Sequence, residues 1–122
     1  MKKILLATLL SVLATSVLAD INVGVTISAS GAAASLGIPE KNSFALLPTT
    51  IAGQKINYII LDDASDTTTA VKNTKKLISE HKVDVIVGSS ITPNSLAMID
   101  AAAEGETAMV SMSVSARIVE PM

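Results

Sequence analysis

The residues best suited to chemistry in this chain are small hydroxyls gathered at three places. They are SASGAAASLG (28–37), GSSIT (88–92) and SMSVSA (111–116). Hydroxyls both donate and accept hydrogen bonds, and small neighbours let a ligand approach the backbone. The middle stretch carries the sharpest signal. Thr92 can cap a helix, and Pro93 suits the first helical position, where its missing N–H costs nothing. The N–H groups of Asn94 and Ser95 would then point out of the helix start, a place that favours an anion. A carboxylate fits better than a phosphate, because the chain has neither a Gly-rich P-loop with its lysine nor a GxGxxG. The plainer reading is ordinary capping, with Ser89 and Ser90 as solvated turn residues. A charge at a helix end gains roughly 0.3–2 kcal/mol, whereas micromolar binding needs about 8 kcal/mol. The helix start can therefore orient an anion but not hold it alone.

Other constellations are weaker. Asp62, Asp63 and Asp66 could gather a hard cation, but carboxylates at such a place more often cap the next helix and complement its dipole. Gly88-Ser89-Ser90 resembles the first half of a nucleophile elbow. The second glycine is absent, and the one histidine, His81, falls at the opposite end of the strand. With no cysteine and one histidine, neither a disulfide nor a zinc site is expected, and no cofactor motif is present. Met98, Met109 and Met112 read as core filling, and Tyr58 as packing within a strand.

The elements that must position these groups alternate. INVGVTI (21–27) reads as a strand, 28–37 as a loop, and Pro39 as the start of a helix running to about Leu47, which Pro48 ends. KINYIILDD (55–63) is a second strand. DTTTAVKNTKKLISEHK (66–82) is a helix with Val71, Thr74, Leu77 and Ile78 on one face and Ser65 or Asp66 as cap. VDVIVG (83–88) is a strand covered on both faces, a helix runs from Pro93 to Ala103, and AMVSMS (108–113) is a fourth strand. The order predicts an α/β fold, a parallel sheet with helices on both faces. Ligands of such sheets bind beyond the carboxyl ends of the strands, where all three hydroxyl-rich stretches fall. The final SARIVEPM closes nothing, so the chain is expected to be incomplete at its C-terminus.

Residues 1–19 stand apart from this domain. Lys2 and Lys3, an uncharged apolar stretch and Val17-Leu18-Ala19 make a secretory signal peptide too short to span a bilayer, so the mature chain is expected to begin at Asp20 in an exported compartment. Without those two lysines, seven basic residues face eleven acidic ones, a net charge of −4 that excludes a nucleic-acid partner. Phe44 and Tyr58 are the only aromatics, so polar groups or an absent surface must supply much of any pocket.

Taken in order, INVGVTISASGAAASLG, IILDDASDTTTAVKNTKKLI, VDVIVGSSITPNSLAMIDAAAE and AMVSMSVSARI, behind a signal peptide, resemble the periplasmic solute-binding proteins of ABC importers, of the leucine/isoleucine/valine-binding type. The resemblance covers essentially the whole mature chain and makes the exported compartment the periplasm. It implies two α/β lobes that close on a ligand, with residues 20–122 forming the first part of lobe one. It implies that this lobe holds the ligand's carboxylate and amino groups. Thr92 corresponds to the hydroxyl residue before the third helix, with Ser89 and Ser90 beside it, and Ser113, Val114 and Ser115 form the loop after the fourth strand. Two departures bear on the ligand. Ala32 follows Ser30-Gly31 where the family commonly has proline, and Leu36 stands where amino-acid-binding members can carry a tyrosine. Leu36 suits the apolar body of an aromatic or other organic acid at least as well as that of a branched-chain amino acid.

The expected function is that of a non-enzymatic binding component of an ABC importer. It would take a small carboxylate-bearing solute, with the importer's permease as partner and contact with the membrane only through it. A sensory module of the same fold and an exported hydrolase are the rivals. A fused transmembrane segment would favour the first, and labelling of Ser89 or Ser90 by a serine-reactive probe would favour the second.

Overall fold

A computed structural model describes residues 19–120. The expected signal peptide, except its last residue, lies outside the described residues. The elements run β1 (Ile21–Ile27), α1 (Ala34–Phe44), β2 (Thr50–Ile51), β3 (Gln54–Asp62), α2 (Thr67–Ser79), β4 (Val85–Val87), α3 (Thr92–Glu104) and β5 (Ala108–Val110). Short 3-10 turns at Gly31–Ala33 and Ala116–Ile118 complete them.

One sheet carries the strands in the order β2-β3-β1-β4-β5. Pairing is parallel throughout, except that β2 runs antiparallel to β3. From β1 the chain crosses to β3 on one side, and from β3 it crosses back past β1 to β4. Right-handed crossovers in opposite directions put α1 on one face and α2 and α3 on the other. The crevice where the order reverses opens between the carboxyl ends of β1 and β4.

The main core lies between the sheet and the α2–α3 pair. Ala70 and Leu77 of α2, Ile86 of β4, and Met98 and Ala102 of α3 are buried together with Val83. Ile59, Leu61, Ile78 and Met109 pack around them. Close approach at Gly24 serves this layer, since a Cβ there would meet Leu77 and Val83 side chains at 3.0–3.1 Å.

The structure departs from the sequence reading at four places. First, the stretch 28–37 is not all loop, and Pro39 lies inside α1 rather than at its start. Gly37 explains why. It is buried, and a Cβ on it would fall 2.1 Å from the Ser28 carbonyl oxygen, so this turn of α1 is laid directly on the end of β1. That tertiary contact outweighs the lost N–H of Pro39. Second, a fifth strand, β2, forms a hairpin with β3 through Ala52 and Gly53, both at positive φ, as a tight two-residue turn requires. Third, α2 ends at Ser79 rather than Lys82, whose φ of 50° is incompatible with a continuing helix. Fourth, β5 stops at Val110, and Ser111 to Ser113 turn away to bond with α3.

Candidate functional site

At the carboxyl edge of the sheet, three strand ends are tied by one carboxylate. Asp63 follows β3 directly, and its N–H donates to the Ile27 carbonyl at 2.8 Å, continuing the β1–β3 ladder. Its side chain turns inward and is fully buried. Oδ1 accepts from the Ser28 hydroxyl at 2.7 Å and the Ser65 N–H at 3.0 Å, and Oδ2 accepts from the Ser89 hydroxyl at 2.6 Å. Ser28 follows β1 and Ser89 follows β4, so Asp63 joins β1, β3 and β4. Hydrogen bonds to a charged acceptor contribute about 1.5–3 kcal/mol each, and a buried carboxylate needs several to offset its desolvation.

The network continues outward. The Ser28 N–H donates to Ser90 Oγ at 2.9 Å, and the Ser90 hydroxyl donates to the Glu40 carboxylate of α1. The Ser89 N–H donates to Ser95 Oγ at 2.9 Å. The Ser113 hydroxyl donates to the same Ser95 oxygen at 2.7 Å, and Ser111 Oγ lies 2.9 Å from Ser113 Oγ. Thus the hydroxyls after β1, β4 and β5 belong to one connected system.

A cavity of about 350 Å³ opens beside it, lined by Leu36, Glu40, Ser90, Ile91, Thr92, Met112, Ser113 and Val114. The structure thereby brings together Leu36, Ser90, Thr92, Ser113 and Val114 of the sequence-derived set. Ser89 is fully buried behind the cavity wall, its hydroxyl committed to Asp63. Ser115 lies on a neighbouring hollow of about 570 Å³ along β5, which Ser113 also lines.

Helix capping differs from expectation. Ile91 is the N-cap of α3, with extended backbone and no side-chain cap bond, and Thr92 is already helical with Pro93 next to it. The Thr92 side chain is therefore not used for capping and lines the cavity. The Ser95 N–H is not free either, since it donates to the Ile91 carbonyl at 3.0 Å. Asn94 is buried, and neither side-chain polar atom meets a partner among the described residues.

The acidic cluster divides three ways. Asp66 caps α2, accepting from the Thr69 N–H at 2.7 Å, and that bond, with the Thr69 hydroxyl, holds its carboxyl below the usual value. For Asp62, desolvation pulls upward, but hydrogen bonds from the Ser30 hydroxyl and from the Ala64, Ser30 and Ala29 amides outweigh it, and the carboxyl ends up lowered. Asp63 does not cap a helix; it faces inward, as above. Among the described residues, no group of three acidic, histidine or cysteine side chains could hold a metal ion.

Of the methionines, Met98 is core and Met109 packs against it, whereas Met112 lines the cavity. Tyr58 stacks at a tilt on Phe44, with ring centres 5.9 Å apart, and its hydroxyl donates to the Pro48 carbonyl. Sequence reasoning missed Glu40, and it missed that the side chains of Ser28 and Ser95, rather than a loop backbone or a free N–H, join the network. Glu40 sits at the i+4 position from Leu36, a spacing that places both on one helix face, but only once α1 is known to begin before Pro39.

Residues 20–120 match the family of periplasmic binding proteins. Among solved structures, the chain is 51% identical to an extracellular ligand-binding receptor from Rhodopseudomonas palustris HaA2, covering 85% of this chain and 29% of that one, with a TM-score of 0.82. It is 31% identical to a solute-binding protein of an ABC transporter from Rhodopseudomonas palustris BisB5, solved with 3,4-dihydroxybenzoic acid; coverage is 81% and 29%, and the TM-score 0.76. The branched-chain amino acid transporter substrate-binding protein LivJ from Streptococcus pneumoniae, solved with isoleucine, shares the fold at 22% identity, with coverage of 82% and 31% and a TM-score of 0.72. The chain thus spans less than a third of the length of these structures. No protein of curated function matches it significantly.

Proposed function

The chain belongs to the periplasmic binding protein family, with the fold of the first part of lobe one of its type I members, and from that premise we propose that it serves the binding component of an ABC importer for a small apolar carboxylic acid. The complete protein is exported to the periplasm, closes two lobes on its ligand and delivers it to the permease. The observation that carries this reading is the cavity in which Ser90, Thr92 and Ser113 meet Leu36, Ile91, Met112 and Val114 beside the start of α3. The Thr92 hydroxyl and the Ser113 hydroxyl, turning from Ser95, take the carboxylate at the positive end of α3, Ser90 stays with Glu40, and the apolar side chains take the ligand's body. Leu36 and Val114 are 52% and 97% exposed, so they have ample surface left to lay against a ligand and an opposing lobe. Ser89 supports this surface from behind, and Ser115 lies at its margin. Both an amino acid and an aromatic acid fit this chemistry, and the BisB5 relative, bound to an aromatic acid, supports the second.

The arrangement supports binding rather than catalysis. The Ser89 hydroxyl is buried against Asp63, and His81 lies before β4, at the far end of the strand from Ser89.

The test is titration calorimetry on the full-length protein with 3,4-dihydroxybenzoate and L-isoleucine. Thr92→Ala combined with Ser113→Ala should weaken binding of whichever carboxylate binds by roughly tenfold or more, from the loss of hydrogen bonds to a charged group. Unchanged affinity would mean that the carboxylate is held elsewhere.

A further inference from the structure

The cavity wall carries a carboxylate of its own, and a site for a simple organic anion has no use for one. Glu40 lines the same hollow as Ser90, Thr92 and Ser113. Among the described residues its side chain makes one hydrogen bond, that from the Ser90 hydroxyl, and it takes part in neither ion pair, which join Lys55 to Asp20 and Lys75 to Glu104. An ionised carboxylate accepts about four hydrogen bonds and donates none. Ser90 cannot supply more, since its oxygen already accepts from the Ser28 N–H and its only proton goes to Glu40. Of the other lining side chains, Leu36, Ile91, Met112 and Val114 are apolar, Ser113 donates to Ser95, and the Thr92 hydroxyl is the one that the ligand's carboxylate claims. When the cleft closes and water leaves, Glu40 must meet a donor or bear the cost of an unpaired buried charge.

We infer that Glu40 is the specificity-determining residue of this cavity, and that it selects carboxylic acids bearing a second, hydrogen-bond-donating group over the same acids without one. This rests on the carboxylate-binding reading above and adds its second anchor. The donor can be an ammonium or a phenolic hydroxyl, because a carboxylate accepts from either. Donor-free acids are rejected because they leave Glu40 unpaired, and where the donor is an ammonium they also lack the positive charge that offsets the two carboxylates. A site built to pair with a donor discriminates strongly against the analogue lacking it.

Two matched pairs of probes test this by calorimetry on the full-length protein. The first pair is 3,4-dihydroxybenzoate against benzoate, and the second is L-leucine against isocaproate. The wild type should prefer the donor-bearing member of at least one pair by roughly tenfold to a hundredfold, and the pair that shows it identifies the donor as phenol or ammonium. Glu40→Gln should erase most of that preference, weakening the donor-bearing acid and leaving the donor-free one unchanged or tighter. Glu40→Asp, which keeps the charge and draws it back, should retain part of the preference, and it serves as the second variant should Glu40→Gln misfold by circular dichroism. Equal weakening of both members would make Glu40 a structural residue and overturn the inference. So would a wild type that binds both members equally, and in that case the carboxylate reading would stand. Failure of all four acids to bind would remove the carboxylate reading and this inference together.

Discussion

Ser89 and Ser90 are adjacent, chemically identical and both largely removed from water, yet they belong to different regions of the molecule. Ser89 is part of a sealed polar knot with Asp63, Ser28 and Ser95, every oxygen of which faces protein. Ser90 sits on the rim of an open cavity and reaches Glu40 across it. The difference lies in their partners. Past the end of β4, the Ser89 hydroxyl meets Asp63 after β3, and the Ser90 hydroxyl meets Glu40 of α1. A polar group in the first region acts on stability, and one in the second acts on binding.

The sharpest way to break that distinction is at its centre. Asp63→Ala would strand the Ser28 and Ser89 hydroxyls and the Ser65 N–H, so urea unfolding should show a loss of about 3 kcal/mol or more. A loss below about 1 kcal/mol would mean that the knot is not what fastens the three strand ends. The methionines give a parallel contrast. Met98→Ala opens the sealed core and should cost about 2–5 kcal/mol. Met112→Ala, on the cavity, should cost under about 1 kcal/mol of stability while changing ligand affinity. Equal losses would show that the cavity is as tightly packed as the core.

The serines themselves separate more finely. Ser89→Ala should destabilise by about 1–2 kcal/mol, with ligand affinity following only indirectly. Ser90→Ala should cost less stability and should change affinity through Glu40, which loses its one hydrogen bond. The smallest effect is in acid. The carboxyl of Asp62 is lowered from 3.8 on folding, so its ionised form stabilises the native state above that value. This contribution is lost as pH falls below 3.8 through the lowered native value, and Asp62→Asn should remove that part of the pH dependence. Unfolding midpoints measured between neutral pH and acid would show the two curves converging as pH falls.

Much of the architecture was legible in the residues. INVGVTI, the amphipathic 66–82 stretch and the apolar VDVIVG mark β1, α2 and β4, because period and β-branching report burial locally. Asp66 was recognisable as a cap because capping is settled within one turn. The start of α1 was not legible. Ser35, Gly37 and Pro39 argue for a loop, and only the close approach of Gly37 to the Ser28 backbone shows why the helix starts before the proline. The hairpin strand β2 has two residues, too few for any period to show.

The site divides in the same manner. The sequence alone determined that hydroxyls would gather at the carboxyl edge of a parallel sheet, since alternating β and α segments require that edge to carry the loops after β1, β4 and β5. Only the tertiary structure decided which of them seal a buried carboxylate and which line the cavity. It also decided that Glu40 joins them and that Thr92 is released from capping. The reason is one of range. Periodicity and capping depend on neighbours within about four residues. The contacts of Asp63 with Ser28 and Ser89, and of Ser90 with Glu40, span 26 to 50 residues and depend on where the crossovers bring strand ends and helix starts together.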